Sequence, residues 1–229
     1  MRLAVVVPVV NEAASIESML ARLQPLRARG VQVVVVDGGS IDSTPAMAKP
    51  HADHVLQSPR GRAQQMNAGA KAAIARGADV LLFVHADSQL PESADRLIDA
   101  ALRTSGRAWG RFDVRIDGPL MLKLVSAMMN LRSRLTGICT GDQAIFVTCS
   151  AFEQLSGFAP IALMEDIEFS KRAKRLSRPA VVSTRIVTSG RRWERHGIWR
   201  TIVLMWRFRV AYFFGADPQR LAQRYRDAR

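Results

Sequence analysis

Consecutive apolar residues that stop at an acid recur three times in this chain. VQVVVVD ends at Asp37, DVLLFVHAD at Asp87, and IALMED at the adjacent pair Glu165 and Asp166. The first two runs put Val and Leu on successive positions. That is the pattern of a strand buried on both faces of a parallel sheet. In open α/β sheets, ligands sit beyond the carboxyl ends of such strands. The sequence therefore gathers several carboxylates around one crevice. Such a group suits a hard divalent cation, a ribose or base edge, or proton abstraction.

The chain has 229 residues and is 48% hydrophobic, enough for one sizeable core. One domain over 1–195 and an appendage over 196–229 are expected. Cys139 and Cys149 do not make a disulfide framework, which fits a reducing cytoplasm. The apolar start 3–10 is short for a signal peptide, is interrupted by Pro8, and reads as a first strand. Charge is unevenly placed. Residues 1–170 hold 17 basic and 17 acidic residues, whereas 171–229 hold 16 basic and 3 acidic. That excess fits a solvated face, an anionic membrane surface, a phosphorylated substrate or nucleic acid.

Strand and helix signals alternate. Strands are expected at 3–9, 33–37, 54–57 and 80–84, with helices near 13–26, from 44, at 62–75 and at 92–103. Pro91 precedes the last of these as a start signal. This order argues for a mostly parallel sheet covered by helices. Beyond it, 108–116 alternates like a half-exposed strand, 119–135 and 165–176 read as helices, and 144–148 and 180–184 as strands. Residues 198–214 are apolar but carry Arg200, Arg207 and Arg209, too many charges for a spanning helix. They form either a helix packed on the domain or one lying in a membrane interface with Trp199 and Trp206 at headgroup depth.

Four motifs carry chemistry. In PVVNEA, Asn11 either caps the following helix or shapes a pocket wall with Glu12. In VVVVDGGSIDST, Gly38 and Gly39 let the backbone turn closely around a ligand near Asp37. In FVHADSQLPE, an extended segment would point His85, Asp87 and Gln89 to one side, as ligands of a divalent ion would be. In MEDIEF, Glu165 and Asp166 open a helix, where negative charge is favoured for its own sake, or supply a general base. Neither GxxxxGK[ST] nor a GxGxxG follows a strand, so phosphates would be met by a metal and arginines instead.

Six pieces in order resemble the family 2 glycosyltransferases. They are P-x-x-N-E at 8–12, D-G-G-S-x-D-x-T at 37–44, G-R-A-x-x-x-N-x-G at 61–69, H-A-D at 85–87, G-D-Q at 141–143 and E-D at 165–166. The resemblance implies a GT-A fold with a basic C-terminal helical appendage. It also implies a nucleotide-diphosphate sugar donor and inverting transfer to an acceptor hydroxyl. It assigns Asp166, with Glu165 beside it, as the catalytic pair. Pro8, Glu12, Asp37, Gly39, Arg62, Asn67, Asp87 and Arg192 would bind the donor, with Arg191 nearby. Asp87, His85 and Gln89 would hold Mg²⁺ or Mn²⁺. His85 stands where the family often has an acid, and GRRW at 190–193 lacks the Gln of the processive synthases. SPRGRAQQMN and GRRWERHGIWRT are similar to a bacterial branch labelled arsenosugar-biosynthesis or selenodomain-associated glycosyltransferases.

The implied setting is the cytoplasm or the inner face of the cell membrane, with a lipid-linked acceptor as one option. A sugar-nucleotide nucleotidyltransferase is the competing enzyme, but no Gly-rich basic loop follows the first strand. A nucleic-acid binder is the competing non-enzyme, but only two Tyr and no known module support it. No nucleic-acid partner is expected.

Overall fold

The computed structural model describes residues 1–227, with the side chains of Arg192, Arg195, His196 and residues 225–227 outside that description. One eight-stranded sheet organises the chain. Its strands are β1 (Leu3–Val9), β2 (Gln32–Asp37), β3 (His54–Gln57), β4 (Val80–Phe83), β5 (Ser88–Gln89), β6 (Trp109–Ile116), β7 (Ile145–Thr148) and β8 (Ala180–Thr188). Their order is β3-β2-β1-β4-β7-β6-β8-β5. The β3-β2-β1-β4 half is parallel, and β7 runs against both β4 and β6.

The Val runs fill both faces. Val5, Val7, Val33 and Val35 join one core cluster, with Ile16, Leu20 and Ile98 of covering helices. Val6, Val34 and Val36 join the other, with Ala63, Met66, Ala70 and Ala73 of the helix Arg62–Ala75. That helix lies so close to β1 that a Cβ on Gly69 would sit 2.4 Å from Val6 Cγ1.

Several expectations are corrected. The helix near 13–26 is two short pieces, Ile16–Ala21 and Gln24–Arg27, the second with Pro at its start. A proline lacks the N–H that a continuous helix would need there. β6 is not half-exposed; every residue except Arg115 is buried. The helix Leu120–Thr136 covers it, with Asn130 bonding both backbone groups of Val114 at 2.9 Å. Polar alternation misled because Arg111 and Asp113 pair with each other inside, and Arg134 closes on Asp113. The helix Cys149–Gln154 was not anticipated, although Thr148 caps it. β8 extends to Thr188, well past 184.

Both cysteines are free and buried, and burial pushes each thiol up to about 11. The helix Ile198–Phe213 docks through Phe208 and Leu204 onto Leu163, Met164 and Ile167, with Leu221 of the helix Pro218–Asp227 joining them. Its other face exposes Trp199, Val203, Trp206, Val210 and Phe213. Among the described residues no helix is long and apolar enough to cross a membrane.

Candidate active site

The parallel strands β2 and β4 release Asp37 and the segment His85–Asp87 at one edge of the sheet. Because β7 is antiparallel to β4, the residues before β7 arrive at that same edge. These residues form a single tight turn, Gly141–Gln143, held by reciprocal bonds between Thr140 and Gln143. The helices Arg62–Ala75 and Glu165–Ala173 both begin there.

The first wall joins two loops. Asn11, at φ 54°, accepts the Ile41 N–H on Oδ1 at 2.9 Å and donates its own N–H to Ser40 Oγ. The Glu12 N–H donates to Thr44 Oγ1 at 2.8 Å, and Glu12 Oε2 accepts from Ser15. Asp37 is 1% exposed. Its carboxylate accepts the N–H groups of Gly39 and Ser40 at 3.0 Å, and the Ser40 hydroxyl. Asp37 thus shapes the turn, and Gly39, at φ 85°, adopts a conformation that other residues rarely take. Pro8 is buried in β1 beside Val36. Gln65 fixes the wall by donating to the carbonyls of Val9 and Val36.

The second wall is charged. Glu165 is 3% exposed and pairs with Arg62 Nε at 3.2 Å. Burial raises its carboxyl above the usual range, against the pull of Arg62 and with a further push from Asp166. Arg62 also lies 3.5 Å from His85 Nε2, while His85 Nδ1 is 3.6 Å from Asp142 Oδ1. Asp166 is half-buried, and its Oδ2 accepts the Gly141 N–H at 2.8 Å. A small cleft lined by Met66, Phe83, His85, Gly141, Phe158, Glu165 and Asp166 lies among them.

The structure brings His85, Arg62, Glu165 and Asp166 together, with Asp142 as a member the sequence reading did not assign. It leaves others out. His85–Asp87 is not extended: the strand stops at Phe83, and the Ser88 N–H closes a turn onto the His85 carbonyl at 3.0 Å. The extended backbone expected to align the three side chains is therefore interrupted. Gln89 accepts from Arg22 instead. Asn67 spends both amide ends on the Phe158 backbone, at 2.8 and 2.9 Å. Arg191 opens the next helix and bonds Ser189. The side chain of Arg192 lies outside the described residues.

For a metal, the donor set is lean. Among the described residues no three His, Cys, Asp or Glu side chains cluster as ligands. Asp87 is exposed, and its carboxylate has no hydrogen bond or ion pair among the described residues. One free carboxylate fits Mg²⁺ or Mn²⁺ of the kind that takes most of its ligands from substrate phosphates and water.

A sheet whose parallel half ends in acids, with an antiparallel strand returning to the same edge, defines the GT-A fold. Solved structures share it. The chain is 19% identical to S. aureus TarS 1–349 in complex with UDP-GlcNAc, with a TM-score of 0.67, covering 82% of this chain and 58% of that one. It is 22% identical to the mannosyltransferase PcManGT from Pyrobaculum calidifontis, solved with GDP-Man and Mn²⁺. There the TM-score is 0.66, and the match covers 95% of this chain and 66% of that one. Residues 4–152 match Glycosyl transferase family 2, and the chain belongs to that family. It is also 32% identical over 107 residues to the succinoglycan biosynthesis protein ExoA of Rhizobium meliloti (strain 1021). That match covers 44% of this chain and 32% of ExoA, so the chain spans about a third of that relative's length.

Proposed function

We propose that this protein transfers a sugar from a nucleotide-diphosphate donor to an acceptor hydroxyl with inversion at the anomeric carbon. The observation that carries the reading is the placement of Asp166. It is a half-buried carboxylate at a helix start, oriented by the Gly141 N–H, on the edge where the strands end. In this reading Asp166 takes the acceptor proton. The acceptor oxygen bonds to the anomeric carbon, and the bond to the diphosphate breaks with its electron pair leaving on phosphate oxygen. General-base help of this kind supplies about 10²–10⁴-fold.

Glu165, paired to Arg62, holds the guanidinium toward the donor side, with His85 continuing that wall. The nucleoside would lie against the loops that Asp37 and Asn11 lock together, with Pro8, Glu12 and Gly39 forming the wall. Asp87 would be the one side chain on a Mg²⁺ or Mn²⁺ ion. When bound, such an ion neutralises the charge that builds on the leaving diphosphate. The neighbours solved with UDP-GlcNAc and with GDP-Man and Mn²⁺ support a donor of this class.

Residues 1–195 carry transfer in this reading, and 196–229 form a basic appendage that touches an anionic membrane surface. The stripe Trp199, Val203, Trp206, Val210 and Phe213 beside exposed Arg200 and Arg207 favours that contact. The setting is then the inner face of the cell membrane. SPRGRAQQMN and GRRWERHGIWRT favour the arsenosugar-biosynthesis or selenodomain-associated branch. The test is a thermal-shift screen of UDP-, GDP- and TDP-sugars with and without Mn²⁺, followed by measurement of nucleoside diphosphate release. A ligand selective for the native state raises the melting temperature. No shift with any donor, with and without the ion, would remove the proposal.

A further inference from the structure

Two arginines beside the site lack a hydrogen-bond or ion-pair partner among the described residues. Arg132 belongs to the helix Leu120–Thr136 and Arg209 to the helix Ile198–Phe213. Nε and Nη2 of Arg132 and Nε of Arg209 are buried without a hydrogen bond, and neither guanidinium enters an ion pair among the described residues. A buried donor left without an acceptor is costly, and more so when it is charged.

Both helices are held in place. Asn130 clamps the first to β6 and also accepts from Gln143 at 3.3 Å, beside the turn that orients Asp166. Phe208 seats the second on Leu163, Met164 and Ile167, residues that flank Asp166 on both sides. Burial lowers both arginines, Arg132 to about 10, and the charge of Arg209 is the next cause acting on Arg132. Asp166 acts on both from nearby without pairing with either, and Asp142 acts on Arg209 as well. Two half-buried like charges with idle donors, on helices anchored beside the residues that flank and orient Asp166, make a site short of an anion.

We propose that Arg132 and Arg209 form an anion-binding subsite beside Asp166 that takes the phosphate of a phosphorylated alcohol acceptor, whose free hydroxyl then reaches Asp166. The assignment rests on the transfer reading above. Two sources carry this chemistry: a soluble phosphate ester and a glycerophospholipid headgroup.

The test uses the full chain with inorganic phosphate and glycerol 3-phosphate as probes in thermal shift and calorimetry. Both probes should stabilise the wild type. Arg132→Gln and Arg209→Gln should each weaken binding about tenfold or more, the share of one charge-assisted contact. Arg103→Gln, at an exposed side chain, should leave binding unchanged and so exclude a general effect of net charge. Without probe, removing an unpaired buried charge should leave the melting temperature equal or higher. A large drop in both variants would make the arginines structural and overturn the proposal, as would unchanged phosphate binding.

Saturating nucleoside diphosphate should not displace glycerol 3-phosphate. Mutual exclusion would assign the arginines to the donor and overturn the acceptor role. Phosphatidylcholine vesicles containing phosphatidylglycerol separate the sources. Loss of pelleting in the two variants marks a lipid headgroup, and pelleting that ignores them marks the soluble ester. A failed donor screen alongside an arginine-dependent phosphate shift would sink the transfer reading and the acceptor role with it. A working donor screen with no phosphate effect would sink only this subsite.

Discussion

Gly141 donates its backbone N–H to Asp166 Oδ2 over 2.8 Å, a contact between residues 25 apart in the chain. The same glycine faces His85, whose Nε2 would lie 2.5 Å from any Cβ placed there. One residue therefore orients the carboxylate and leaves room for the imidazole, joining the two sides of the site.

Asp166→Asn is expected to keep the Gly141 bond, because an amide oxygen accepts as well. It removes only the ability to take a proton. Turnover should fall about 10²–10⁴-fold while donor affinity stays near that of the wild type. Retention of more than about a tenth of turnover, measured as nucleoside diphosphate release, would contradict the base assignment.

Gly141→Ala puts a methyl into the His85 ring. Overpacking of this kind typically costs about 1–3 kcal/mol. Here relief must come from moving His85 or the turn that positions Asp166. The variant should fold, with unchanged far-ultraviolet dichroism, yet lose most of its transfer rate. An alanine variant with full activity would show that His85 and the turn move freely.

Glu165 supplies a pH signature. Burial, against Arg62, holds its carboxyl above the ordinary value, so the native state binds this proton more tightly than the unfolded chain does. That contribution is fully present below the unfolded value and is lost as pH rises through the higher native one. Glu165→Gln does not titrate. The melting temperature of the variant minus that of the wild type should therefore grow more positive over the range in which pH rises above the ordinary glutamate value. A difference that shrinks over that range would reverse the sign and refute the assignment.

Membrane contact through the helix Ile198–Phe213 predicts an effect of its apolar stripe. Trp206 is 56% and Phe213 74% exposed. Burying a large apolar side chain yields about 1.5–3 kcal/mol, so Trp206→Glu with Phe213→Glu should cut binding to anionic vesicles about a hundredfold or more. Co-sedimentation that survives both changes would leave the stripe without a lipid role.

Much of this architecture was legible because its causes are local. Runs of Val announce strands covered on both faces, and the acids that end them mark the edge where the site forms. What could not be read depends on contacts between distant residues. Asn67 sits within a motif, yet its amide serves Phe158, 91 residues away. Asp113 looked like a solvent-facing residue on an alternating strand, because nothing in its neighbourhood announces Arg111 and Arg134 closing on it. The turn after β4 broke the expected line of His85, Asp87 and Gln89, since extended geometry was assumed past the point where pairing stops. Arg132 and Arg209 lie in ordinary helical stretches, and only the buried nitrogens they leave without hydrogen bonds among the described residues set them apart.

The reversed direction of β7 has a wider consequence. It lets one rim be furnished by two lengths of chain with separate origins, an early one in which β2 and β4 end there and a later one from which β7 starts. Changes just ahead of β7 can then reshape that rim without disturbing the strands that end on it, so the two lengths of chain can vary independently.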